Sequence, residues 1–140
     1  MVNLGECSYS IVMATEIIGL SHKEREIVAN VVRYNIRDFD YNMVRMEAGP
    51  ELSSGSLPDQ SDATILTAKL TAMLRLANSM DRSHGQKLKD CRITVKDKTL
   101  TVSAEYSGDI TLEAVSFEQK AAFFEEIFGI RPVLRHKKYV

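Results

Sequence analysis

The sequence has 140 residues, 44% hydrophobic and 26% charged, which is typical of one globular domain with at most a small appendage and excludes a disordered chain. No apolar run approaches the roughly 18 residues of a membrane span, and the first residues lack the basic and apolar regions of a secretion signal. We therefore expect a cytoplasmic protein with no membrane partner. The net charge of −1 hides an asymmetry: Lys and Arg number 7 against 11 Asp and Glu up to Asp81, but 11 against 8 from Arg82 onward.

The first third of the chain predicts two α-helices. Apolar residues from Tyr9 to Ile18, followed by Gly19, indicate a first helix that ends at this glycine. Ser21 and Glu24 have the spacing of a capping box, in which each side chain accepts a hydrogen bond from the backbone N–H of the other residue. We therefore expect the second helix to begin at Ser21.

A third, central helix is predicted from apolar residues that recur at intervals of three and four and so share one face. These residues are Leu66, Leu70, Met73, Ala77 and Met80.

Asp81 follows Leu74 by seven residues, and we expect it beside the apolar face of this helix. A carboxylate in that position needs a partner, because an unpaired buried charge costs several kcal/mol. Two interpretations stay open. Asp81 is either a structural cap or ion pair with an arginine such as Arg33 or Arg82, or it is a metal ligand or part of a phosphate site.

After Gly85 the apolar residues alternate, which is typical of strands. Residues 93–106 predict a hairpin around Lys96-Asp97-Lys98, residues 109–114 a third strand, and residues 132–134 a last strand. Between the last two, Ser116 to Gln119 has the signature of a capping box that opens a helix, and Gly129 would end that helix.

The predicted fold is therefore α+β. Residues 1–86 form a helical segment, and residues 87–140 form a β-β-β-α-β unit in which one helix packs on a small antiparallel sheet.

Cations in the second half of the chain predict a groove for a polyanion, if the last strand ends near the end of the central helix. A linear polyanion would release counterions when it binds, and the planar guanidinium of arginine suits phosphate. The alternative is that these cations are solvated surface charges. The predicted polyanion-binding residues are Arg75, Arg82, His84, Lys87, Arg131, Arg135, Lys137 and Lys138.

Common catalytic motifs are absent from the sequence. It contains no phosphate-binding glycine loop, His-Glu-x-x-His, Cys-x-x-Cys or Gly-x-Ser-x-Gly. Cys7 and Cys91 share no metal-ligand spacing with each other or with a histidine, which favours reduced thiols.

Three segments, in order and spread through nearly the whole chain, carry a family resemblance. The first is residues 8–12 together with residues 16–35, which contain Ser21-His22-Lys23-Glu24. The others are residues 68–84, ending in Met80-Asp81-Arg82-Ser83-His84, and residues 121–134, with Gly129-Ile130-Arg131-Pro132. They resemble the C-terminal region of the exopolyphosphatase and guanosine pentaphosphate phosphohydrolase family. The resemblance implies a partial HD-like helical domain followed by a small α+β unit. It also implies that the catalytic site lies in N-terminal actin-like ATPase-fold domains with no counterpart in this sequence, and that the parent enzyme uses Mg²⁺ while this chain holds no cofactor.

The comparison with HD-type phosphohydrolases concerns Asp81. Those enzymes take metal ligands from an early histidine, an adjacent His-Asp pair and a late aspartate. Asp81 matches the late aspartate, but the sequence contains no His-Asp pair. Because one carboxylate does not hold a divalent metal tightly, Asp81 is predicted to be a structural or vestigial metal position.

Three interpretations of function stay open. The first is a non-catalytic C-terminal domain of an exopolyphosphatase, which helps bind polyphosphate or guanosine polyphosphate and packs against the missing actin-like domains or in a homodimer. The second is a degenerate or partner-completed HD-type metal phosphohydrolase. The third is a purely structural dimerisation module.

Overall fold

The structure, a computed structural model, describes residues 4–35 and 62–137. In chain order the elements are helix α1 (Leu4–Ala14), helix α2 (His22–Tyr34), helix α3 (Asp62–Ser79), strand β1 (Cys91–Lys96), strand β2 (Thr99–Glu105), helix α4 (Thr111–Phe128) and strand β3 (Arg131–Lys137). Helices precede the sheet, which confirms the α+β class. The chain divides into two compact units, Met1–Thr71 (unit 1) and Ala72–Val140 (unit 2).

In unit 1 the predicted capping box at the start of α2 is confirmed. The Ser21 hydroxyl accepts from the Glu24 N–H at 3.1 Å, and the Glu24 carboxylate accepts from the Ser21 N–H at 3.4 Å. The predicted end of the first helix is wrong, because α1 ends at Ala14. Gly19, with φ of +92°, lies in the turn that follows, where its freedom to adopt positive φ is used.

Helix α3 buries a different face from the predicted one. Leu66 and Met73 are 44% and 45% exposed, whereas most of the buried residues are small or carry hydroxyl groups, with Arg75 and Leu76 as the larger side chains. The Thr67 and Thr71 hydroxyls donate to carbonyls four residues earlier at 2.7 Å, so these polar side chains are satisfied within the helix and can be buried. Thr64, Thr67, Ala68, Thr71, Ala72 and Leu76 form this buried face.

The sheet of unit 2 has the order β1-β2-β3 and is mixed. Strands β1 and β2 are an antiparallel hairpin, as predicted, and its turn places both Asp97 and Lys98 at positive φ. Strands β2 and β3 are parallel, so the prediction of an antiparallel sheet is wrong. The 18-residue helix α4 connects them and returns the chain to the end where β2 began, which makes β3 run in the same direction.

The predicted third strand over residues 109–114 is also wrong, because α4 begins at Thr111. The Asp109 carboxylate accepts from the Thr111 N–H at 2.9 Å and so satisfies one free donor at the helix start. Ser116 lies inside the helix and does not open it. The predicted end at Gly129 is confirmed: this residue has φ of +68°, and its N–H donates to the Glu125 carbonyl at 2.8 Å.

The core of unit 2 lies between α4, the end of α3 and one face of the sheet. Val102 of β2 packs with Phe117 and Phe124 of α4 and with Ala72 and Leu76 of α3. Because side chains alternate along a strand, the neighbouring residues of β2 project from the opposite face. Within the described residues, no helix has both the length and the apolarity needed to cross a membrane.

Candidate polyanion-binding face

The face of the sheet opposite α4, called here the outer face, carries four cross-strand rows of side chains. The register sets Arg92 beside Ser103 and Ser103 beside Arg135. The second row is Thr94, Thr101 and Val133, the third is Lys96, Thr99 and Arg131, and the fourth is Glu105 and Lys137. Polar residues of β2 thus occupy the middle of the outer face, and cations lie on both sides.

Four cations of the outer face are exposed: Arg92, Lys96, Arg135 and Lys137. Within the described part of the chain, their side chains have no hydrogen bond or ion pair. Arg92 and Arg135 lie on the two strands that flank β2, so their Cα atoms are about 10 Å apart, which is twice the spacing of adjacent strands. Glu105 is the carboxylate of this face, so the local charge is positive.

Arg131 begins β3, but its guanidinium is held by helix α4. It lies 2.8 Å from the Glu118 carboxylate and 3.5 Å from that of Glu125. Arg131 is therefore not counted among the available cations of the outer face.

Two further residues of the predicted groove are held by contacts inside unit 2. Arg75 is only 9% exposed, and its guanidinium lies 4.7 Å from the centre of the Phe123 ring. The Lys87 ammonium donates to the Asp109 carbonyl at 2.8 Å and lies 3.5 Å from the buried Glu113 carboxylate. Both contacts are structural, because they fix α3 and the turn after it to residues of the core.

The remaining predicted residues lie in two places. Arg82 and His84 are exposed in the turn that follows α3. Arg135 and Lys137 belong to the outer face, and Lys138 lies outside the described residues. The loop between β2 and α4 contacts both regions, because Asp109 binds Lys87 while the Tyr106 N–H donates to the Lys137 carbonyl at 3.2 Å. The end of the last strand and the turn after α3 thus each contact the loop between β2 and α4, and the groove between them stays a prediction.

Arg92 and Lys96 were missed by sequence reasoning, although a signal was present. Ile93 and Val95 alternate along the first hairpin strand and so share one face, which leaves Arg92, Thr94 and Lys96 on the other face. The parallel register of β3 then brings Arg135 into the same cross-strand row as Arg92.

The expected pairing of Asp81 with an arginine is wrong. The carboxylate is 47% exposed, accepts from the Gln86 N–H at 2.9 Å and lies 4.0 Å from the His84 ring. It therefore caps the turn after α3, in which His84 and Gln86 have positive φ. The seven-residue spacing from Leu74 does not place Asp81 on the helix face, because α3 ends at Ser79.

Asp81→Ala is consequently expected to lower the free energy of unfolding by about 1 kcal/mol, the contribution of one exposed hydrogen bond. Urea denaturation followed by circular dichroism measures this change. Asp81→Asn is the control, because its amide oxygen can still accept from the Gln86 N–H. A loss of about 3 kcal/mol or more in Asp81→Ala would instead indicate the buried charge pair that the sequence suggested.

The residues around Asp81 do not fit a divalent metal site. Among the described residues, no three His, Cys, Asp or Glu side chains are grouped so that they could hold an ion. One oxygen of Asp81 is already used by the Gln86 N–H. Divalent cations such as Mg²⁺ take several oxygen ligands in a defined geometry, so no metal-dependent step is assigned to this residue.

Comparison with known families adds a decisive observation. Residues 3–121 match the family model described as Ppx/GppA phosphatase, domain III. The chain belongs to the Ppx/GppA phosphatase family. The match runs from α1 into the middle of α4 and includes β1 and β2 of the outer face. This confirms the family resemblance found in the sequence. No curated protein matches the chain significantly.

Proposed function

We propose that this Ppx/GppA family chain is a non-catalytic accessory domain of an exopolyphosphatase-like protein and binds a polyanion, either the linear polymer polyphosphate or guanosine polyphosphate. The observation that carries the proposal is the outer face, where Arg92, Lys96, Arg135 and Lys137 are exposed without an anionic partner in the described part of the chain. The family supplies the class of anion.

Electrostatics supports a polyanion as the ligand of this face. Like charges on one face of the sheet repel one another, and an anion that contacts several of them relieves this repulsion. A linear polyanion also releases condensed counterions when cations of a protein replace them, so its affinity grows with the number of contacts. Isolated small anions have no such gain, because each neutralises a single exposed side chain.

The state of Asp81 supports an accessory role over hydrolysis by this domain. The resemblance to HD-type enzymes matches Asp81 to one of their metal ligands, and its carboxylate caps a turn. Cleavage of the polyanion then belongs to the actin-like domains of the family, to which this domain would deliver or hold the polymer.

Binding of fluorescently labelled polyphosphate is expected to weaken steeply with salt. For a flexible single chain, each phosphate contact adds about −0.7 to the slope of log affinity against log salt, so four contacts give about −3 and a roughly 50-fold loss between 50 and 200 mM NaCl. Fluorescence anisotropy of the full chain at several salt concentrations measures the slope.

The same samples provide the controls for this experiment. Phosphate release in the presence of Mg²⁺ is expected to equal that of heat-inactivated protein, and release above that level would favour the phosphohydrolase interpretation. Absence of binding at 50 mM NaCl would remove the polyanion-binding role and leave the structural module.

A further inference from the structure

We infer that the outer face is a track for one extended polyanion that lies along β2, is bound through its phosphate oxygens and makes no use of a base. This inference rests on the proposed function, because it specifies where the polyanion binds and which chemical class of polyanion the site favours.

The cations lie in two lines, one along β1 and one along β3, and the polar side chains of β2 form a strip between these lines. Arg92 and Lys96 lie on β1, about 13 Å apart at four residues of strand rise, and Arg135 and Lys137 lie on β3, about 7 Å apart. Only β2 separates the line of cations on β1 from that on β3, so the strip between them is about 10 Å wide. One extended chain in this strip is within reach of the long side chains on both sides, whereas two chains would crowd each other.

The strip itself suits phosphate oxygens. Thr99, Thr101 and Ser103 project from β2 between the cations, and a hydroxyl group can donate a hydrogen bond to an anionic oxygen. Along β2, the first carboxylate of the strip is that of Glu105, which lies at the carboxyl end of the strand beside Lys137. The carboxylate limits the track at the level of Lys137, because it repels a polyanion that continues beyond this pair.

The composition of the outer face indicates a ligand without bases. None of its residues on β1, β2 and β3 is Phe, Tyr, Trp or His. Proteins that bind single-stranded nucleic acids commonly stack successive bases on aromatic side chains, and this contribution is missing here. A polymer that offers a phosphate at every unit makes more of the available contacts than a nucleotide or an RNA, so inorganic polyphosphate is the favoured class.

The test compares two double variants of the full chain that remove the same charge. The variant Arg92→Ala with Arg135→Ala removes one cation from β1 and one from β3. Lys23→Ala with Lys69→Ala removes two exposed cations from helices α2 and α3. Labelled polyphosphate is the probe, and circular dichroism melting confirms that both variants are folded.

We expect the Arg92/Arg135 variant to bind polyphosphate at least tenfold more weakly at 100 mM NaCl and to lose about 1.4 from its salt slope, the value for two contacts. The Lys23/Lys69 variant should change affinity less than twofold. Equal weakening in the two variants would overturn the track, and so would a comparable loss in Arg82→Ala, which would move the site to the turn after α3. If the unaltered chain binds polyphosphate in either of those two cases, the proposed function stays supported and only the track is contradicted. If the unaltered chain does not bind polyphosphate, both the proposed function and the track are contradicted.

Competition decides the chemical class. Unlabelled single-stranded RNA, added at equal phosphate concentration, is expected to displace labelled polyphosphate at least tenfold less effectively than unlabelled polyphosphate does. Equal displacement would show that the arginine side chains stack on bases or respond to charge alone, and would overturn the preference for a polymer without bases.

Discussion

Phe117→Ala is expected to lower the stability of unit 2 by about 3–5 kcal/mol, the usual cost of removing a fully buried phenylalanine. Phe117 is 1% exposed and packs with Val102 of β2, Leu76 of α3 and Phe124 of α4. Its ring joins three elements, so the cavity left by truncation cannot be closed by movement of one element alone. Amide hydrogen exchange of the β2 residues measures this loss within unit 2.

Val115→Ala is the matched control, because Val115 lies on the same helix two residues earlier and is 54% exposed. Its truncation removes apolar atoms that are already largely in water, and alanine favours the helix more strongly than valine does. We expect a change within about 0.5 kcal/mol. Similar losses in the two variants would contradict the assignment of Phe117 to the core.

Signals that act over a few residues were sufficient to predict parts of this fold. Ser21 and Glu24 form the predicted capping box, in which both hydrogen bonds join residues only three apart. Gly129 ends α4 for a similar reason, since its left-handed conformation is a property of one residue. Such features depend mainly on the sequence nearby, although the same capping-box signature at Ser116 lies inside α4 and opens no helix.

Periodicity over only a few residues misled the prediction at the start of α4. Ile110 and Leu112 alternate as in a strand, but Leu112 is 61% exposed, and the buried Glu113 and Phe117 have the four-residue spacing of a helix. Asp109 just before the helix was the better signal, because its carboxylate accepts from the Thr111 N–H. Two alternating residues do not distinguish a strand from the first turn of a helix.

Predictions of side-chain position failed where they assumed that a helix continues. Arg75 and Arg82 are seven residues apart, a spacing that places two residues on one face of a continuous helix, but α3 ends at Ser79 between them. Arg75 is therefore buried against Phe123, while Arg82 is exposed in a turn. The outer face needed more than periodicity, because only the parallel register of β3 brings Arg135 into the row of Arg92.

Arg33 is a second case in which the partner of a charge could not be found from spacing. We expected it to pair with Asp81, but its guanidinium is buried in unit 1. It lies 3.6 Å from the centre of the Tyr9 ring, its Nε atom is 3.1 Å from the Glu6 carboxylate, and it donates to the Asn30 side chain at 3.2 Å. The contacts with Tyr9 and Glu6 connect α2 to α1, whereas the contact with Asn30 lies within α2, so Arg33 is a polar link between the two helices.

Arg33→Ala is therefore expected to destabilise unit 1 by about 3 kcal/mol, since it removes one partner of a largely buried ion pair together with the contact to the Tyr9 ring. Hydrogen exchange of the α2 amides measures the effect. Lys23→Ala, which removes an exposed cation from the same helix, should change the opening free energy obtained from this exchange by less than about 0.5 kcal/mol. Glu6→Gln should cost about 1 kcal/mol, because Glu6 is 37% exposed and glutamine keeps an acceptor for the guanidinium. If the α2 amides exchanged no faster in Arg33→Ala than in Lys23→Ala, the guanidinium would not hold α1 and α2 together. Their association would then depend on apolar packing.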